Sequence, residues 1–344
     1  MSTEMSSSAV AYKLTIGSTE MAQTLNDAVQ RLVFEDHVDM VGMLTVRIGG
    51  GEGQPEWNFQ IGDECVLKLG SGKKEIFHGE VISLEPGFEV GGISSITVRA
   101  LDKLHRLGRG RKTRFWEQMK DSDVASEVGG ESGLSVTTDP TADKHGYILQ
   151  RNESNIAFIK RLAARNNFVV RVTDNKLEFK KASFNSQSVS VTMGDNLRSL
   201  RLSFNTTDLV QKVIVRGWDV KTKKEIVGQA AIGDVTKIGG GEVGSQLAGK
   251  FGDSTAYITD VPVSSQAQAN AVAKSEMERL ARQFCKGSCT IAGNDTALAG
   301  SSLELSGLPA GQNGAFFVIG TRHIISKTSG YTTELQVCSN TMGS

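Results

Sequence analysis

Between Tyr147 and Lys181 the apolar positions change period. Ile156, Ile159, Leu162 and Ala163, with Phe158 beside them, recur at helical spacing, while Lys160, Arg161 and Arg165 take the other face and bring positive charge to the C-terminal end of the dipole. Ser154 stands where a hydroxyl can accept from the unpaired amides of a first turn, and Asn166 and Asn167 can end the helix. Phe168, Val169, Val170 and Val172 then make a β-favouring run. Asp174 and Asn175 supply turn chemistry before Leu177 and Phe179, which alternate with polar neighbours. The pattern predicts helix, strand, turn, strand.

On both sides of this unit the period is two. The first region, 10–104, contains short strand patterns: VAYKLTI, Met43 to Ile48, Cys65 to Leu69, Ile76 to Pro86 and Ser95 to Ala100. The glycine runs Gly49–Gly51 and Gly70–Lys74 punctuate them, so an antiparallel barrel or sandwich is expected. A polar stretch, 101–114, leads to a second unit, 105–188, in which Asp121 or Ser122 can cap a short helix ending at Gly129 and Gly130. A strand follows from Lys212 to Arg216. The segment 228–286 reads as an insertion: a glycine-rich loop, then a long helix with Ala269, Val272, Ala273, Met277, Leu280 and Phe284 on one face. Four strand patterns close the chain: CTIAG, SLELSGL, AFFVIGTRHII and YTTELQV.

Composition narrows this picture. At 344 residues the chain holds more than one core, and abundant glycine with sparse proline suits a β-rich α+β protein. Lys plus Arg number 38 and so do Asp plus Glu, which argues against broad phosphate neutralisation as the main business of the chain. No apolar run approaches the roughly 20 residues needed to cross a bilayer. Four cysteines are too few for a disulfide framework, and Met1 to Ala9 is expected to be disordered.

Three short patterns together resemble a known family. Gln150, Glu153, Ser154, Phe158, Ile159, Arg161, Leu162 and Ala163 match a segment of the phage late control protein D group, which includes the N-terminal hub part of VgrG spike proteins. Gly217, Trp218 and Asp219 look like the element that opens that group's second barrel, and Gly314, Phe316, Val318 and His323 resemble its closing strand. The resemblance implies two tail-tube-like antiparallel β-barrels, 10–104 and 189–227 plus 287–344, separated by the small α+β domain 105–188 and interrupted by the insertion 228–286. It also implies a non-enzymatic baseplate or spike hub, a homotrimer that adapts a sixfold inner tube to a threefold spike. The partners are then the inner tube ring, other baseplate proteins and a spike, expected as a separate polypeptide because the chain ends at Ser344 without needle-like repeats. The setting implied is a particle made in the bacterial cytoplasm, with no membrane insertion and with nucleic acid only as cargo.

Several features nevertheless carry candidate chemistry. The GSGKK run resembles part of a phosphate loop, but Lys74 replaces the Ser or Thr and Leu67 the first glycine, so a hairpin turn explains it better. Cys285 and Cys289 have metal-compatible spacing without a second ligand pair, which favours buried thiols. His323 falls in an apolar strand, a structural histidine rather than a base. Glu35, Asp36, His37 and Asp39 form the densest acid and histidine group, read as a solvated connection over a cation site. His105, Arg106, Arg109, Arg111, Lys112 and Arg114, followed by Phe115 and Trp116, offer nucleic-acid chemistry; the plainer reading is an interdomain connection meeting acids of a neighbouring subunit. Trp57 and Trp218 read as core or interface anchors. No G-x-S-x-G or H-E-x-x-H occurs. No catalytic, cofactor or metal residue is therefore assigned. The rival readings are a cell-wall hydrolase, whose carboxylates need not be close in sequence, and a carbohydrate-binding module.

Overall fold

Alternation along most of the first strands decides the main sheet. In the computed structural model, strands β1 (Tyr12–Ile16), β2 (Thr19–Glu20), β3 (Val29–His37), β4 (Met43–Gly49), β5 (Glu64–Leu69), β6 (Lys74–Gly87) and β7 (Ser95–Asp102) form the first half. The structure describes residues 12–17, 19–20, 27–49, 58–70, 74–88, 90, 95–141, 143–173, 176–184, 188–220 and 222–343. The expected disordered start, Gly50 and Gly51, Trp57, the turn residues Ser71 to Lys73, and Asp174 and Asn175 lie outside these residues. Leu32 and Phe34, Leu44, Val46 and Ile48, Cys65, Leu67 and Leu69, and Ile96, Val98 and Ala100 all point to one buried face. One face wet and one face dry is what a period of two dictates in an antiparallel sheet.

The small α+β unit follows. Its strands are β8 (Lys112–Met119), β9 (Ser135–Thr138), β10 (His145–Glu153), β11 (Phe168–Thr173) and β12 (Lys176–Lys181), with helices α1 (Asp121–Gly130) and α2 (Asn155–Ala164). Helix α2 forms as its period predicts: the Ser154 hydroxyl accepts from Ala157 N, and Phe158, Ile159, Leu162 and Ala163 are buried. Phe158 stacks on Trp116 at 5.2 Å, and burial of such a side chain stabilises by about 1.5–3 kcal/mol. Helix α1 departs from expectation. Lys120 is its N-cap with no side-chain bond, because Asp121 is turned inward to other partners.

The second half comprises β13 (Ser188–Thr192), β14 (Leu197–Phe204), β18 (Cys285–Ala292), β19 (Ser302–Ser306), β20 (Gly314–Ser326) and β21 (Gly330–Ser339). Both halves belong to one 13-stranded sheet, in the order β14-β18-β21-β20-β3-β4-β7-β6-β5-β1-β2, with β19 and β13 branching from β20. The chain thus has the mostly antiparallel, curled, barrel-like sheet expected from the resemblance, with few helices. Strand β20 is the bridge: its start pairs with β19, its whole later length with β21, and Gly320 to Ser326 pair with His37 to Arg31 of β3. A Cβ on Gly320 would lie 2.7 Å from the His37 ring, so the two halves close only over a glycine.

The insertion is larger than predicted. Strands β15 (Lys212–Asp219), β16 (Lys224–Ala231) and β17 (Thr255–Ile258) form a separate three-stranded sheet, covered by helix α4 (Gln266–Ala281), while a short α3 (Gly244–Ala248) lies between. The Gly217–Trp218–Asp219 element therefore does not open the second half, which begins with β13 and β14. Helix α4 packs Ala269, Val272, Ala273, Met277 and Ala281 against Val213 and Val215. Gly228 is required there, since a Cβ would stand 2.2 Å from the backbone of Ala269. The glycine-rich segment is pinned at its centre: buried Asn340 donates to Thr236 O (2.8 Å) and accepts from Ile238 N (2.9 Å).

Candidate functional site

The acidic group on β3 lands where the units meet. Asp36 accepts from Ala299 N of the second half at 3.0 Å, and Asp39, at φ 63°, accepts from Val170 N of the small domain at 2.7 Å while its own amide donates to Val170 O. Glu35 instead lies 3.3 Å from Arg322 on β20. Arg171 returns the connection, donating to Ala299 O at 2.9 Å and to Glu178 at 2.8 Å. Asp102, at the end of β7, accepts from Gly42 N (2.6 Å) and Leu104 N (2.8 Å). The group expected to be a solvated connection is thus a partly buried joint between three units.

A cavity of about 280 Å³ opens here, walled by Asp36, Asp102, Arg171, Glu75 and His78. Burial pushes Asp102 up to about 7, with the Asp36 charge adding to the rise and the two amides opposing it. Burial likewise raises Asp36 and Asp39, against backbone hydrogen bonds and nearby cations. Three carboxylates in one cavity, Asp36, Asp102 and Glu75, raise the question of acid–base chemistry. Both oxygens of Asp102 accept backbone amides and one oxygen of Asp36 accepts from Ala299 N, so these two carboxylates are tied to backbone. The arrangement suits holding loops together.

A second joint places α4 against the small domain. Asp121 receives hydrogen bonds from Arg165 (Nε, 2.6 Å) and Asn166 (2.8 Å) and lies 3.3 Å from His145 Nε2. Burial works against its charge, yet the bonds from His145 and Arg165 outweigh it and hold the pKa at about 2. Across the seam, Ser265, the cap of α4, donates to Asp143 at 2.6 Å, and Ser275 donates to the Ala164 carbonyl at the end of α2. Nothing in the sequence marks Asp121 as a hub of this kind.

The basic run is absorbed within the chain. Arg106 pairs with Glu80 and donates to Ser132 O, Lys112 and Arg114 both pair with Glu131, and Arg111 reaches Asn152 O. Arg106, Lys112 and Arg114 thus meet acids of their own chain. Gln150, from the family-like motif, is fully buried at the centre of this network: it accepts from Arg114 and donates to Glu153 O and Asn155 Oδ1. Glu153 and Arg161 pair with each other at 3.2 Å.

The remaining candidates are packing groups. His323 is fully buried, stacks on Phe34 at 5.7 Å and sits 2.9 Å from the Tyr331 hydroxyl; burial lowers its pKa to about 4. Cys285 and Cys289 are buried free thiols, both pushed up to about 12. Among the described residues, no group of three or more His, Cys, Asp or Glu side chains is placed to hold a metal, and no helix is long and apolar enough to cross a membrane. Trp218 is not a core residue. It is 56% exposed on the outer face of β15; Tyr257 (62%) is exposed on the same sheet, its ring 5.9 Å from Arg216. A second outward pair, Phe115 (57%) and Tyr147 (55%), stacks at 5.3 Å on the β8–β10 sheet.

This architecture, a curled sheet running through two halves with a small α+β unit beside it, is that of tail-tube-like hub folds. The prophage MuSo2 43 kDa tail protein of Shewanella oneidensis shares it at a TM-score of 0.73 and 14% identity, over 97% of this chain and 100% of that one. A tail protein of Neisseria meningitidis MC58 matches at 0.71 and 13%, over 96% and 97%. The E. coli c3393 protein, a type VI secretion component described as similar to bacteriophage T4 tail proteins gp27 and gp5, matches at 0.66 and 10%, over 95% and 76%. No curated protein is a significant sequence match. The chain belongs to the Alg8 N-terminal domain family, whose model matches residues 8–327. That is a different family model from the late control protein D group suggested by the three motifs.

Proposed function

We propose that this chain is a structural hub in the tail or baseplate of a phage or related contractile injection particle, and that it is not an enzyme. The observation that carries the reading is the single sheet joined through β20 and β3, since it couples two barrel-like halves into one body. Three such chains around an axis present six similar halves, which is the geometry needed to seat a sixfold tube ring on a threefold tip. The late control protein D resemblance supports this finer assignment, with the tube ring, a spike and other baseplate proteins as partners.

The charged groups support a mechanical role. Asp36 and Asp39 each hold a backbone partner across a seam, Asp102 and Asp121 tie elements within their own units, and the outward aromatics are of the kind enriched at protein contacts. Electron microscopy of the native particle tests the assignment: density for this chain between tube and tip supports it, and density elsewhere or none removes it. A peptidoglycan-release assay with the purified chain tests the non-enzymatic half, with no release expected above buffer.

A further inference from the structure

A separate cavity of about 400 Å³ lies where the β3–β4 turn, the small domain, the end of α4 and the second half converge. Its floor is apolar, made by Val38, Phe184, Phe317 and Ile319. Its rim is basic: Lys160, Arg282 and Lys286 line it, against the single carboxylate of Asp39 and the ring of His37. Asp39 already accepts from Val170 N. Arg282 is the informative residue. One of its terminal nitrogens donates to Asn167 Oδ1 at 3.1 Å and its guanidinium lies 5.6 Å from the Phe184 ring, while Nη1 is buried and makes no hydrogen bond among the described residues. Nη1 has no accessible surface, so it is the three cations set against one carboxylate over an apolar floor that suit a carboxylate ligand, the group that accepts two parallel N–H bonds from a guanidinium.

We propose that this cavity binds a carboxylate carried on an apolar body, the acid meeting Arg282 and Lys286 and the apolar part lying on Phe184, Phe317 and Ile319. Its volume falls within the about 300–1,000 Å³ usual for small-ligand sites, and its lining has the usual form of a mainly apolar wall with a few placed charges. The inference goes beyond the hub assignment and does not depend on it. The same chemistry is offered by a free amphiphilic acid and by an acidic side chain within an apolar segment of a neighbouring copy.

Calorimetric titration of the full chain with octanoate, acetate and octan-1-ol tests the site. Octanoate is expected to saturate one site per chain, with acetate and octan-1-ol weaker by roughly tenfold or more, since each lacks one half of the recognition. Arg282→Gln and Lys286→Gln should each weaken octanoate by roughly tenfold, about one charge-assisted hydrogen bond. Lys286 is exposed, so that variant reports on binding even if Arg282→Gln fails to fold. No octanoate binding to the unaltered chain, equal binding of octan-1-ol, or undiminished binding to Lys286→Gln overturns the proposal. Light scattering with saturating octanoate separates the two sources: dissociation of an assembly identifies a neighbour's acid as occupant, and an unchanged mass identifies a free amphiphile. Both keep the site.

Discussion

Two seams in this molecule bury aspartates, and they treat them in opposite ways. Around the joint at the end of β3, Asp36, Asp39 and Asp102 accept backbone amides and rise in pKa, Asp102 to about 7. Beside the seam between the small domain and α4, Asp121 is met by Arg165, Asn166 and His145 of its own domain and falls to about 2. The difference shows that burial alone does not set the state of a carboxylate; the charge of its donors does. The first seam is a set of neutralisable latches, the second a fixed ion-paired pin.

The comparison can be broken most severely at the pin. Asp121→Ala strands Arg165 and His145 in a largely buried site and is expected to destabilise the chain by about 3–5 kcal/mol, read from urea unfolding at pH 7. Because its folded pKa lies below the unfolded value, Asp121 contributes about 2 kcal/mol above pH ~4, lost as pH falls from there through ~2. Unfolding midpoints for the parent and for Asp121→Asn should therefore converge at the acid end. Parallel profiles at all pH values would show that the pin is not charged.

The latches should respond less and with the other sign. Arg171→Met removes the donor to Ala299 O and the Glu178 partner, for a loss of about 1.5–3 kcal/mol. Asp102→Asn keeps one acceptor and removes the burial penalty on a charge, so its cost at pH 8 is expected to be about 1 kcal/mol or less. The carboxyl of Asp102, with its raised folded pKa, favours the folded state most below pH ~4, and that contribution is lost as pH rises through about 7. In Asp102→Asn this slope between pH ~4 and about 7 should disappear; its persistence would move the titration to another group.

Much of the fold is legible where period and local chemistry agree. Helix α2 is visible from Ile156 to Ala163 and from its Ser154 cap, and the first-half strands from their alternation. Partner choice is not legible, because a period of two names a face and not a neighbour. Hence the strand at Lys212 to Asp219 is recognisable in the sequence while its sheet is not: Gly217 is needed because a Cβ there would stand 2.4 Å from Val263 Cγ2, which is a tertiary fact. The joint residues escape notice for the same reason. Asp39 and Val170 are 131 positions apart, and the basic run finds its acids at Glu80 and Glu131 on other elements. Only the clustering of acids on and just after β3 gives a signal, and it points to solvent.

The claim that this chain is a hub built from two coupled barrel-like halves is tested most directly by mass. Light scattering of the purified chain, alone and with the spike of its own particle, is expected to give a mass containing three copies of the chain in at least the second case, with the bound spike's own mass added there. A single copy of the chain under both conditions would contradict it.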